Sequence, residues 1–397
     1  VAGHAHALVD ATHTIAHDEP IAVIGMACRF PGGANSPEAF WRMLHEGVDA
    51  ITEVPSTRWE LKQYYDADPE APGKMYCRWG GFIDHAEAFD PQFFGLAPRQ
   101  AQSMDPQQLL LLEVAWEAFE HAGLAPDKLI GSATGVFLGM SSFEHTLLQA
   151  QHGEAAQANS FSGTSGGYSY AAGRLSYSFG LQGPCMTLDT ACSSSLVAAH
   201  LACQSLRNGE SNLALVAGVN VLLSPDWQVN ICKARMLAED GRCKTFDESA
   251  DGFVRSDGCG VVLLKRLSEA RAAGDNVLAV IRGSAVNQDG RSSGLTAPNG
   301  PAQEAVIRAA LASANVQPHE VSYVETHGTG TALGDAIETR ALSNVMSSSR
   351  KADEPLFIGT VKTNIGHLEA ASGVAGLICL VLALQHEEIP RHLHFKK

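Results

Sequence analysis

Cys192 stands in the run Asp189-Thr190-Ala191-Cys192-Ser193-Ser194-Ser195, between an apolar, strand-like stretch and a helix-like one. A cysteine at such a junction holds its thiol over a helix N-terminus, where orphan N–H groups and the helix dipole favour the thiolate. The small neighbours let the chain turn sharply and let a substrate come close, the elbow logic of covalent catalysts. Taken alone, Cys192 reads more readily as a small buried hydrophobe, the usual fate of a free cysteine.

Two histidines change that balance. His327 lies in Glu325-Thr326-His327-Gly328-Thr329-Gly330-Thr331, and His367 ends Val361-Lys362-Thr363-Asn364-Ile365-Gly366-His367. Each follows a strand-like run, and strand ends are where α/β sheets bind ligands. Gly328 and Gly330 let the first loop approach a ligand closely, with Thr329 and Thr331 at hand to contact it. Two neutral imidazole N–H donors aimed at one oxygen would stabilise the enolate left when a malonyl-type thioester loses carbon dioxide. Each residue also has a plainer reading. A strand-end histidine is commonly structural, and Lys362 reads as an ordinary snorkelling lysine. Asp335 and Glu338 match a capping box opening the helix Ala336–Met346. Neither histidine has a carboxylate at metal-ligand spacing, so no metal is expected.

These residues need a scaffold of strands ending at one place. Apolar runs at Ile21–Ala27, Thr134–Met140, Cys185–Thr190, Leu213–Leu223, Gly258–Leu267, Val277–Val286, Val321–His327 and Leu356–Thr363 read as buried strands. Helical stretches alternate with them, which predicts α/β layers with largely parallel strands, covered on both faces. Asp105-Pro106 marks one helix start. Val1–Asp18 reads as a tail, tag or linker, and the rest divides into halves of 19–267 and 268–397. Each half has a strand running into a reactive residue and then a small-residue helix, a weak internal likeness that hints at duplication.

The 397 residues exceed what one compact core usually holds. A net charge of −15 argues against nucleic acid as the main partner. Nine cysteines without a CxxC pair or a disulfide ladder point to a reducing, cytoplasmic setting. The apolar run Ala370–Leu384 carries Ser372, Gly373 and Gly376 and is short, which favours a core helix over a membrane span.

In order along the chain, EPIAVIGMACRFPGG, Asp105-Pro106-Gln107-Gln108, DTACSSS, ETHGTGT with GDAIE, and KTNIGHLEAASG resemble the β-ketoacyl synthases, and among them the ketosynthase domains of modular or iterative type I polyketide synthases. The resemblance runs from Glu19 to Lys397. It implies a thiolase-like fold of two duplicated α/β halves in a five-layer αβαβα arrangement, and a homodimer. It implies acyl transfer from a carrier-protein phosphopantetheine arm to Cys192, then decarboxylative condensation with a malonyl- or methylmalonyl-carrier thioester. His327 and His367 match the paired histidines that bind the extender carbonyl. Lys362 matches the supporting lysine, expected to orient His327 or to pair with Glu338 or Asp335.

The Cys192 N–H would be one oxyanion donor. Leu295-Thr296-Ala297-Pro298-Asn299 is similar to the loop lining the pantetheine tunnel, which makes Thr296, Pro298 and Asn299 contact candidates, and Ser162–Tyr170 falls where the acyl pocket is shaped. No bound cofactor is implied; the partners are a carrier-protein domain and an acyltransferase domain of the same synthase. Leu109 and Ser256-Asp257 depart from the family pattern, at positions expected to be peripheral. The chain stops before the Gly-Thr-Asn-Ala-His segment that closes family members, so the C-terminal end is expected to be truncated. A fatty-acid-type 3-oxoacyl synthase shares the Cys-His-His triad. A non-elongating acyl-binding gatekeeper would lack the cysteine or the first histidine, and a thiolase would place a second cysteine as base near the C-terminus, whereas Cys379 lies in an apolar helix.

Overall fold

The computed structural model describes residues 19–151, 162–347, 350–351 and 353–397. The expected tail Val1–Asp18 lies outside them. One six-stranded sheet organises the molecule, in the order β5-β4-β6-β7-β1-β8. Its strands are β1 (Ile21–Arg29), β4 (Thr134–Gly139), β5 (Cys185–Leu188), β6 (Leu213–Asn220), β7 (Gly258–Arg266) and β8 (Ala279–Ile281). The short pair β2 (Ile51–Glu53) and β3 (Trp79–Gly81) is antiparallel, and β9 (Tyr323–Glu325) pairs in parallel with β10 (Phe357–Gly359).

Strand placement follows the apolar runs, but the expectation of a largely parallel sheet needs correction. β4 is parallel to β5 and β6, whereas β6–β7, β7–β1 and β1–β8 are all antiparallel. Apolar runs without alternation report burial on both faces, not strand direction. Alternate residues feed two cores. Ile21, Val23, Val216, Val262 and Leu264 pack with the helices Ser194–Arg207 and Ser372–His386. Ala22, Ile24, Leu215, Val261 and Leu263 pack with the helix Pro106–His121 on the opposite face. That helix starts as the sequence requires, Asp105 accepting from the Gln107 N–H at 2.9 Å with Pro106 in the first turn.

The apolar run near the C-terminus forms the helix Ser372–His386, with Val374, Ile378, Cys379 and Leu382 inside the core. The helix expected from Ala336 begins earlier, at Ala332, and Thr331 at its cap makes no side-chain cap bond. Asp335 and Glu338 therefore form no capping box. Asp335 accepts from the Phe246 N–H at 2.8 Å and the Gly330 N–H at 3.2 Å, so it ties two loops together. Glu338 turns back to the His327 loop.

Candidate active site

β5 delivers the chain to the nucleophile. After Leu188, Asp189 accepts from the Ala191 N–H at 3.0 Å, and Ala191 adopts φ 54°, a left-handed conformation unusual for a residue with a side chain. The serines that looked merely small are the fasteners of this elbow. Ser194 Oγ accepts from the Thr190 N–H at 2.9 Å and donates to the Ala191 carbonyl at 2.6 Å, and Ser193 Oγ donates to the Thr190 carbonyl at 2.8 Å. A Cβ on Gly139 of β4 would stand 2.6 Å from the Ser195 N, so the helix start rests directly on that strand.

The second half brings up the imidazoles. After β9, the backbone N–H groups of His327 and Gly328 donate to the Glu338 carboxylate at 2.7 and 2.8 Å. After β10 and a short turn, His367 donates its N–H to the Val254 carbonyl at 2.7 Å and accepts from the Ser256 N–H at 3.0 Å. Its ring Nδ1 accepts from the Glu369 N–H at 2.9 Å and lies 3.2 Å from Ser372 Oγ. Because a backbone N–H can only donate, Nδ1 is bare and the proton of the neutral ring sits on Nε2.

Cys192, His327 and His367 meet. One ligand-type atom from each lies within 4.8 Å of the others, and the two rings stand perpendicular at 88° with centroids 5.6 Å apart. All three face a cavity of about 920 Å³. Three such donors so close together can take an organic group between them, and the same set could also hold a metal ion.

Burial dominates the electrostatics. It pushes the Cys192 thiol above its ordinary value; the Lys362 charge and the residue's own N–H pull it back only in part. The helix-end position therefore does not yield the low-pKa thiol expected, because desolvation outweighs it. His327 opens one edge to the cavity yet is otherwise deep in protein, and that depth, with Lys362 nearby, lowers its pKa to about 3. His367 is lowered well below the usual range by burial, then by Lys362 and His327. Both rings are neutral at physiological pH.

Lys362 is buried behind the cavity wall, with 5% of its surface exposed. The expected pairing with Glu338 or Asp335 is not made: among the described residues no ion pair joins Lys362 to a carboxylate, and both carboxylates are taken up by backbone N–H groups. Its charge reaches the triad through space.

Thr296, Pro298, Thr329 and Thr331 line the cavity, as do Asp335 and Glu338. Asn299 does not. It caps the helix Gly300–Ala314 by accepting from the Ala302 N–H at 3.3 Å, and donates to the Asp289 carbonyl at 2.6 Å. Within the expected stretch Ser162–Tyr170, none of residues 164–170 lines the cavity among the described residues; Tyr168 donates to the Ser141 carbonyl, itself part of the lining, at 2.7 Å. The wall there is built by Ser141–Glu144 and by Trp227, Ile231 and Met236 instead.

Ser256-Asp257 is not peripheral. Ser256 Oγ donates to the Ile365 carbonyl, two residues before His367, and buried Asp257 pairs with Arg58 at 2.6 Å. Leu109 lies in the core. Residue type alone does not single out Phe253, whose ring is 5.0 Å from that of His367, nor Arg255, Glu144 and Glu369. Glu369 lies within KTNIGHLEAASG, so its neighbourhood could have pointed to it; the other three carry no local signal.

Residues 18–270 match the family model of the β-ketoacyl synthase N-terminal domain, and 278–396 match that of the C-terminal domain. The chain belongs to the β-ketoacyl synthase family, whose members are acyltransferases. As a ketosynthase it is 53% identical over 380 residues to one of the phenolphthiocerol/phthiocerol polyketide synthase polypeptides of Mycobacterium tuberculosis, covering 96% of this chain and 21% of that one. It is also 53% identical over 378 residues to the polyketide synthase GfsB of Streptomyces halstedii, covering 95% of this chain and 7% of the relative. Among solved structures, an oxazolomycin ketosynthase domain from Streptomyces albus matches with a TM-score of 0.91 at 40% identity, over 96% of this chain and 65% of that one. The module 6 ketosynthase of the bacillaene synthase from Bacillus subtilis matches at 0.87 and 39%, over 96% and 63%. The mixed α/β fold is thus that of ketosynthase domains, and the chain spans a small part of the synthases it resembles.

Proposed function

We propose that this chain is the ketosynthase domain of a modular or iterative type I polyketide synthase, with Cys192 as acyl acceptor. The observation that carries the reading is the convergence of the Cys192 sulfur and two neutral imidazoles within 4.8 Å at one cavity. In the first stage the Cys192 sulfur attacks an acyl thioester on a carrier's phosphopantetheine arm. The new S–C bond replaces the old one, and the cysteine proton ends on the departing pantetheine sulfur. The Cys192 N–H is the proposed oxyanion donor.

In the second stage a malonyl or methylmalonyl thioester occupies the cavity with its carbonyl oxygen against the histidines. The bond to the carboxylate breaks, carbon dioxide leaves, and the electron pair becomes an enolate whose oxygen accepts from His367 Nε2–H and the His327 ring. Fixed neutral donors stabilise that charge with no proton transfer needed. The enolate carbon then attacks the acyl carbonyl, forming the C–C bond and releasing the Cys192 thiolate. Lys362 contributes its field, and Thr296, Pro298, Thr329 and Thr331 line the path of the pantetheine arm.

The partners we infer are a carrier-protein domain, an acyltransferase domain and a second copy of the chain. β5 is an edge strand with Cys185 exposed, and Tyr177 beside it is 85% exposed, which supports pairing of two copies there. We also infer halves of 19–267 and 268–397, with β9–β10 belonging to a second covered sheet and five layers in all. The nine unpaired cysteines support a reducing, cytoplasmic setting.

Intact-mass measurement after incubation with a panel of acyl thioesters tests the assignment. The protein should gain one acyl group and Cys192→Ala none, while that variant still decarboxylates a malonyl thioester. Normal loading of Cys192→Ala would end the proposal.

A further inference from the structure

Beside the triad lies a buried ion cluster that the reaction scheme does not use. Arg255 is fully buried; its Nε donates to Glu369 Oε1 at 2.5 Å and its Nη2 to Glu144 Oε1 at 2.9 Å. Glu144 is itself anchored, accepting from the Leu223 and Ser224 N–H groups at 2.7 Å each. Burial opposes the guanidinium charge, but the two carboxylates more than offset it and hold the group ionised. Buried ion pairs of this kind are costly unless fully satisfied, so they are poor devices for stability alone.

The cluster grips the chain on both sides of His367. The backbone of Val254 and Ser256, flanking Arg255, holds the His367 backbone through its N–H and carbonyl. The Arg255 side chain holds Glu369, and the Glu369 N–H is the donor to His367 Nδ1. Glu369 reaches that position only by adopting φ 49°, a left-handed conformation that residues with a side chain avoid.

We propose that Arg255, acting through Glu369, is a positioning residue that sets the proton of His367. The ion pair holds Glu369 in its left-handed turn, the turn aims its N–H at Nδ1, and the bare Nδ1 leaves the proton on Nε2, facing Cys192. Lys362, His327, Cys192, Arg255 and Glu369 are the titratable or charged groups described around the ring; of these Glu369 touches it through a directed N–H donor, and the neutral Ser372 hydroxyl lies 3.2 Å from the same Nδ1. The inference rests on the reading of His367 as an enolate-oxygen donor.

Glycine takes a left-handed turn without steric cost, which gives a discriminating test in the full chain. Glu369→Ala and Glu369→Gly both lose the carboxylate, but only alanine resists the turn. Glu369→Ala should slow malonyl-thioester decarboxylation at least tenfold more than Glu369→Gly does. Glu369→Gln, which keeps an acceptor for Arg255, should stay within threefold of the parent. Imidazole ¹⁵N shifts should show His367 Nδ1 bare in the parent and the Gln variant and a tautomer mixture in the Ala variant. Equal rates for the Ala and Gly variants, or an unchanged tautomer in the Ala variant, would overturn the proposal. If the Ala and Gly variants do not fold, the Gln variant decides alone: a parent-like rate and shift support the latch, and a His367 tautomer altered by this near-isosteric change without effect on rate refutes it. A parent protein that fails to take an acyl group on Cys192 would instead refute the functional reading beneath it.

Discussion

The Val374 N–H donates to the Ser195 hydroxyl across 3.0 Å and so joins the helix that follows Cys192 to the helix that follows His367. Both groups are buried, and the amide lies in the first turn of its helix, where it has no partner within the helix. This hydroxyl, together with the close approach of Gly373 to Leu196, helps set the spacing between nucleophile and imidazole. Ser195→Ala leaves a buried donor unsatisfied and should cost about 1–3 kcal/mol in urea unfolding. Acyl loading of Cys192 should slow with it. A variant of parental stability and loading rate would show that the two helices are held elsewhere.

Acidification separates neutral from charged imidazoles. His327 is lowered to about 3, and His367 is lowered well below its usual value, chiefly by burial. Decarboxylation by Cys192→Ala should therefore stay flat from pH 8 to about 5, with no inflection near the ordinary histidine value of about 6.5. The same shift acts on folding. Between pH 6.5 and 3 the unfolded chain binds protons that the native rings refuse, so stability conferred at neutral pH is lost as pH falls through that window. In His327→Asn one of those refusals is absent, and its stability should decline less steeply from pH 6.5 to 4 in urea titrations. An equal slope in both proteins would mean that His327 titrates normally.

What can be read from residues is whatever local chemistry dictates. The elbow at Cys192 and the loop at Gly328 and Gly330 follow from small residues next to apolar strands, and they fall where expected, both glycines taking positive φ. The direction of β7 and β1 does not, because a strand buried on both faces looks alike whichever way it runs. Lys362 is a neighbour of the triad as expected but not an ion-pair partner, since Glu338 and Asp335 are spent on backbone N–H groups that no side-chain pattern records. Asn299, expected at the cavity, caps a helix instead, a role its type also signals. Arg255 and Glu144 lie 111 positions apart, and nothing local links them.

Lys362 offers the sharpest electrostatic test, because its charge bears on all three members of the triad at once. It lowers the Cys192 thiol against burial, and it adds to burial in lowering both histidines. Lys362→Met keeps a long, unbranched chain in the buried slot, so the change in packing should cost less than about 1.5 kcal/mol. Removing the charge lets the thiol rise further. A loss of about 1 kcal/mol in thiolate stabilisation, the size expected for nearby charges in a protein of intermediate dielectric, is about a fivefold fall in thiolate at fixed pH. Iodoacetamide should therefore alkylate Cys192 several-fold more slowly at pH 8 in the variant, and the two rates should converge as pH rises and both thiols ionise. The histidines should rise as well, back toward their ordinary value, while staying low because burial is their larger cause. Alkylation as fast as in the parent protein would mean that the Lys362 charge does not reach the sulfur, and its place in the site would then be one of packing alone.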